Sequence, residues 1–235
     1  MNLAKLFETQ KVLKDRIGYE GSDRFEKLIL ALQVEVGECA NEWRGFKFWS
    51  KNQEPSKILH TTEGATIENA DYFKCMDEEN CGEYLSKDDF KGLIEADYEE
   101  CPKCKNGYVY PFRKKNPLLE EYVDGIHFIL EIGLENYDHH DTRLPIAVKR
   151  SLDSNLIKYP SVSKQFNKIF NEIGILEDAV TDHEFFDASD VEDAYINVLR
   201  MYIGLGEMLG YTWEQIERAY YDKNQVNHVR QDSGY

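Results

Sequence analysis

No stretch of this 235-residue sequence approaches the roughly 20 consecutive apolar residues that a membrane-spanning helix requires. The opening MNLAKLFETQ lacks the apolar centre of a secretory leader, so no membrane partner is expected and the chain is read as cytoplasmic. Positive charge is also scarce: 28 Lys and Arg stand against 44 Asp and Glu, a formal net charge of −16. Tracking a phosphate backbone takes clustered Lys and Arg, so a nucleic-acid polymer is not an expected partner. A small anion suits so acidic a chain only where metal ions reverse the local sign. Five cysteines in a cytosolic protein are expected to be reduced or metal-bound, not paired in disulfides. Strand-type alternation is missing outside one central stretch. The fold class that remains is all-α, a helical bundle of about six helices.

What is present begins with Asp23 to Trp49, DRFEKLILALQVEVGECANEWRGFKFW. At 3.6 residues per turn, Phe25, Leu28, Ile29, Leu32, Val36, Cys39, Ala40 and Trp43 share one face. Glu35, Glu38 and Glu42 are three and four apart and stack along one side of the same helix, at the border of that apolar stripe. Carboxylates at a core edge repel one another and lose hydration unless a cation neutralises them. The alternative is a solvated acidic face. Cys39, on the buried side, reads as core. A second acidic pair lies in NPLLEEYVDGIHFILEIGLE, residues 116 to 135. Asn116 and Pro117 mark its start. Glu121 and Asp124 border its apolar side, with Glu131 and Glu135 further along. Two helices presenting hard oxygen ligands can build a magnesium site between them. His127 falls on the same acidic side, either orienting a ligand or facing solvent.

Near the end, WEQIERAYYDKNQVNHVRQ follows a capping pair, Thr212 and Gln215. Lys223, Asn227 and Arg230 share a face there, flanked by Asn224, and offer charge-assisted donors to phosphate. An ordinary basic surface stripe is the other reading. Helices are also expected from Pro160 and Ser161 through Ala179, and from Asp187 to Leu209 with Gly210 as the stop. Asp23 with Glu26 reads as an Asp version of the capping box. The loop YDHHDTRLP places His139, His140 and Asp141 in sequence, and they read as solvated.

Three ordered motifs, EVGECANEWRGFKFWS, LLEEYVDGIHF and YYDKNQVNHVRQDSGY, resemble the all-α dimeric dUTPases, relatives of the MazG-type nucleotide pyrophosphatases. The resemblance covers residues 1 to 50 and 116 to 235. It implies a homodimer that hydrolyses dUTP to dUMP and pyrophosphate with magnesium. Glu38, Glu121 and Asp124 would be metal ligands, and Glu35 a ligand or the general base. Lys223, Asn224, Asn227 and Arg230 would hold phosphates and sugar. Gln10 falls on the apolar face of a first helix, residues 2 to 17, where it is either bonded within the core or, as the resemblance implies, in contact with uracil. An Asn that some branches carry shortly after that Gln is absent, and Lys14 occupies the neighbourhood. Trp49, in the aromatic group Phe46, Phe48 and Trp49, is the candidate base-stacking residue. The alternatives are a broader nucleotide pyrophosphatase, or a regulatory binding protein acting through its insert.

That insert, residues 51 to 115, loses helical periodicity and is either a small subdomain or a long loop. Cys75 and Cys81 precede Cys101-Pro-Lys-Cys104, whose two thiolates at that spacing suit one tetrahedral ion. A four-cysteine structural zinc site is the expectation and free thiols the alternative. His60 reads as a surface residue.

Overall fold

Asn2, Ser161, Asp187 and Thr212 each turn a side-chain oxygen onto the first turn of a helix, so the polar residues of the sequence set where four helices begin. The computed structural model describes residues 2–86, 88–89, 100–136, 156–182 and 184–234. Among these residues the helices are α1 (Leu3–Ile17), α2 (Arg24–Trp43), α3 (Pro117–Asn136), α4 (Val162–Thr181), α5 (Ala188–Met208) and α6 (Trp213–Asp232). Asp187 with Asp190, and Thr212 with Gln215, form reciprocal capping boxes. Gly18, in the left-handed region at φ 62°, ends α1, and its N–H reaches Lys14 O. Asp23 departs from expectation. It makes no cap bond to α2, because its carboxylate is held instead by the Tyr19 hydroxyl and by Lys27, at 2.8 Å. His139, His140 and Asp141 lie outside the described residues.

The chain divides into two compact units, Met1–Pro55 with Leu118–Tyr235, and Ser56–Pro117. In the first, all six helices contribute to one buried cluster of Leu, Ile, Val, Phe and Tyr side chains. Its centre is a matched pair. The Tyr122 and Tyr202 rings stack at 4.9 Å and 7°. The Tyr122 hydroxyl donates to Tyr202 O at 3.1 Å, and the Tyr202 hydroxyl to Tyr122 O at 3.0 Å. Each hydroxyl lies against a glycine: a Cβ on Gly125 would sit 2.0 Å from Tyr202 Oη, and one on Gly206 2.4 Å from Tyr122 Oη. The two tyrosines are satisfied in the core only because α3 and α5 carry glycine at those contacts.

The second unit is a four-stranded antiparallel sheet of β1 (Leu59–Thr61), β2 (Tyr72–Cys75), β3 (Tyr84–Leu85) and β4 (Val109–Lys115), in the order β1-β4-β2-β3. Of the two readings left open for the insert, the structure has the small subdomain. Tyr72 pairs with Phe112 across the sheet, and their rings stack at 5.3 Å. Phe73, Cys75, Leu85 and Val109 are buried with Ala70 and Cys101. His60 is exposed, with Nδ1 2.7 Å from the Tyr72 hydroxyl.

Candidate active site

The helical period that buries Leu32, Val36 and Cys39 of α2 places Glu35 and Glu38 at the edge of the core, where Glu121 of α3 meets them. Carboxylate oxygens of Glu35, Glu38 and Glu121 all lie within 4.8 Å of one another. Burial, then the charges of Asp124 and Glu38, push the Glu35 carboxyl up to about 7. Glu121 is pushed up to about 7 as well, by burial and then by Asp124, Glu38 and Glu35. Like charges are gathered at this point, and the Lys223 ammonium offsets them only in part. Asp124 is outside that trio. Burial raises its pKa too, but the Lys223 ammonium from α6 binds its carboxylate directly and opposes the rise.

A pocket of about 220 Å³ opens beside these groups. Gln10, Leu13 and Ile17 of α1 line one wall, and Glu35, Asp124 and Phe128 another. Lys223, Asn227, Arg230 and Gln231 complete it from α6. Three of the four residues expected to hold phosphate therefore line the pocket with two of the four expected metal ligands. Asn224, the fourth, is buried, and its amide nitrogen has no hydrogen-bond partner. Trp49 does not line the pocket. It is 66% exposed and meets Phe46 and Phe48 edge-on, at 5.7 and 5.0 Å.

Gln10, His127 and Glu131, which line the pocket, belong to a polar network that joins four helices. Gln10 is 1% exposed and bonded within the core. Its Oε1 accepts from the Tyr220 hydroxyl at 2.9 Å and faces His127 Nδ1 at 2.8 Å, while its Nε2 donates to Glu131 at 2.9 Å. Glu131 is in turn paired with Arg24 at 2.5 Å, both nearly buried. His127 is not a surface residue: it is buried, and it lines the pocket with Glu35 and Asp124. Its ring is stacked on Tyr220 at 4.2 Å, and burial pulls its pKa down to about 3, so it is neutral at ordinary pH. Lys14 is buried as well, paired with Glu135 at 2.7 Å.

Sequence reasoning missed Arg24 and Tyr220 as partners of Gln10 and its neighbours, because their pairings span from 107 to 210 residues. Leu13 and Ile17 could have been found, since they follow Gln10 by three and seven on one helical face.

A family model described as dUTPase matches residues 2–73 and 110–235 of the chain. Comparisons with curated proteins and with solved structures return no match.

Proposed function

Because the chain belongs to the all-α dUTPase family, we propose that it hydrolyses dUTP to dUMP and pyrophosphate in the pocket formed by α1, α2, α3 and α6. The observation that carries this reading is the convergence of Glu35, Glu38 and Glu121 beside a wall of Lys223, Asn227 and Arg230. Such a set of hard oxygen donors, with two of its carboxyls lifted to about 7 by crowding and burial, fits a divalent cation such as magnesium. Glu35, Glu38, Glu121 and Asp124 are the residues that would hold it. Bound there, magnesium supplies neutralisation of the triphosphate and of the charge that develops as the phosphoanhydride breaks.

The chain's own groups do the rest. Lys223, Asn227 and Arg230 bind phosphate oxygens, with Lys223 shared between Asp124 and the substrate. The Glu35 carboxylate takes a proton from the attacking water, a role that needs only hydrogen-bond reach to it. The water oxygen bonds to phosphorus, the bridge between the α- and β-phosphorus breaks, and dUMP and pyrophosphate leave. A homodimer belongs to the same reading. Leu30 and Val34, one turn apart on α2 and 62% and 48% exposed, are apolar side chains that a second copy could cover.

One observation favours a second reading, a nucleotide pyrophosphatase of broader choice. Gln10 spends its carbonyl and one amide hydrogen on Tyr220, His127 and Glu131, so little of it is left to read a base edge. Pyrophosphate release from dUTP, dTTP, dCTP and dATP, each with and without magnesium, separates the readings. The expected result is magnesium-dependent cleavage of dUTP at least about tenfold faster than of dTTP. Equal rates on all four would establish the broader enzyme, and no release from any would overturn both.

A further inference from the structure

The sheet unit carries a group that hydrolysis does not use. Cys75 ends β2, Cys81 follows in the loop to β3, and Cys101 and Cys104 lie in the turn before β4. One Sγ from each lies within 4.8 Å of all the others. Cys75 to Cys104 and Cys81 to Cys101 are both 3.8 Å, so neither pair is a disulfide. Tetrahedral coordination with four Zn–S bonds of about 2.3 Å sets sulfur–sulfur edges near 3.8 Å.

The backbone is shaped around the same point. Lys105 is in the left-handed region at φ 60°, and its N–H reaches Cys101 O at 2.9 Å. Cys101 N donates to Gly107 O at 2.7 Å, and Gly107 N donates to Cys104 Sγ at 3.3 Å. A Cβ on Gly107 would stand 2.5 Å from Cys75 Sγ, so the turn closes over the sulfurs only with glycine there. On the other side, Cys81 N and Gly82 N both donate to Asp77 O at 2.8 Å, and Gly82 lies at φ 60°. Two tight turns, each stabilised by its own hydrogen bonds, thus aim four sulfurs inward.

We propose that Cys75, Cys81, Cys101 and Cys104 bind one zinc ion, and that this ion holds the sheet unit together. The role is structural, because four thiolates close the tetrahedron and leave no position for water or substrate. The need for it is visible in the unit's interior. Among the described residues, the buried apolar set apart from cysteine is Ala70, Phe73, Leu85 and Val109, a small core for a unit that must hold four strands. The inference does not rest on the activity proposed above. The four ligands fall within residues 74–109, the stretch that the family match passes over, so the site belongs to this chain and is not carried over from the family.

The test is the metal content of the intact protein, purified without chelator from zinc-supplemented medium. One zinc per chain is expected, and protein with no metal, or with iron in its place, would overturn the proposal. Titrating the native protein with a mercurial should release zinc in step with modification of four thiols, and release that leaves those thiols unmodified counts against it. Exchange with cobalt(II) should give the visible bands of a tetrahedral thiolate site, a reading that needs no variant. Cys101→Ser combined with Cys104→Ser should abolish binding, and full retention of zinc in that variant would also sink the assignment.

Discussion

In the helical unit, buried Leu, Ile and Tyr side chains from six helices run into one cluster. Among the described residues of the sheet unit, the buried set shrinks to four apolar side chains with Cys75 and Cys101, and Cys81 and Cys104 pack against them. The first has enough apolar area to tolerate crowded carboxylates at its edge, where Glu35, Glu38 and Glu121 come together. The second shows a far smaller reserve among its described residues. Its polar atoms must themselves supply the cohesion. With zinc bound as proposed, clustered ligand residues would mean opposite things in the two places: in the helices they would draw on the stability of the fold, and in the sheet they would provide it.

The largest expected effect tests the sheet unit. Removing zinc with a strong chelator should abolish amide hydrogen-exchange protection across Tyr72–Cys75 and Val109–Lys115, since structural zinc in small modules contributes on the order of 10 kcal/mol. Protection in α3 and α5 should be unchanged, and equal losses in both units would erase the contrast. Next come Glu38→Gln and Asp124→Asn. Each should lower turnover roughly 100-fold or more by weakening charge stabilisation at the reacting phosphates. The thermal midpoint of either variant should stay close to that of the parent. Full magnesium-dependent turnover in either would show that the two-helix acidic site is not the catalytic one.

A smaller effect probes packing. Gly125→Ala should destabilise the helical unit by about 1–3 kcal/mol, because the new methyl meets the Tyr202 hydroxyl. Gly174→Ala, with nothing within 4 Å of the added carbon, should instead stabilise α4 by up to about 1 kcal/mol. Denaturant midpoints of the two variants give the comparison directly.

The smallest effect is one of pH, and its sign differs between the units. Glu35 and Glu121 are raised from 4.5 to about 7, so the folded helical unit binds protons that the unfolded chain has already released. Their contribution is fully present below about 4.5 and is lost as pH rises through about 7. The metal-free helical unit should therefore weaken slightly over that interval, and added magnesium should flatten the slope. The sheet unit should run the other way, losing zinc as acid protonates its thiolates. Exchange measured at several pH values would show whether the slopes cross.

The helices were legible because their signals are local. Capping residues at Ser161, Asp187 and Thr212, and the stop at Gly210, each act within a few residues of themselves. The acidic edge was legible for the same reason, since three- and four-residue spacing fixes the side of a helix. Asp23 misled because its choice lay between capping α2 and binding Tyr19 and Lys27, and the sequence does not rank those bonds. Gln10 and His127 could be placed on a face, but their partners come from other helices far along the chain. Trp49 looked suited to stacking on a base because it follows the acidic helix, and adjacency in sequence did not bring it to the pocket. The four cysteines were expected to meet at one site, and they do, although the strand pairing that brings them together was not legible.

Strand pairing also bears on how such a chain could have arisen. The family match leaves the sheet at Phe73 on β2 and resumes at Tyr110 on β4. Phe73 pairs with Pro111 and Lys74 with Tyr110, so the two breakpoints are cross-strand neighbours, about 5 Å apart as antiparallel partners are. A segment bounded in this way can be gained or lost at a hairpin tip without moving the strands that flank it, a two-residue turn serving in its place. All four sulfur ligands travel inside it. A single genetic insertion would thus deliver the complete set of proposed zinc ligands, and a single deletion would remove all four together.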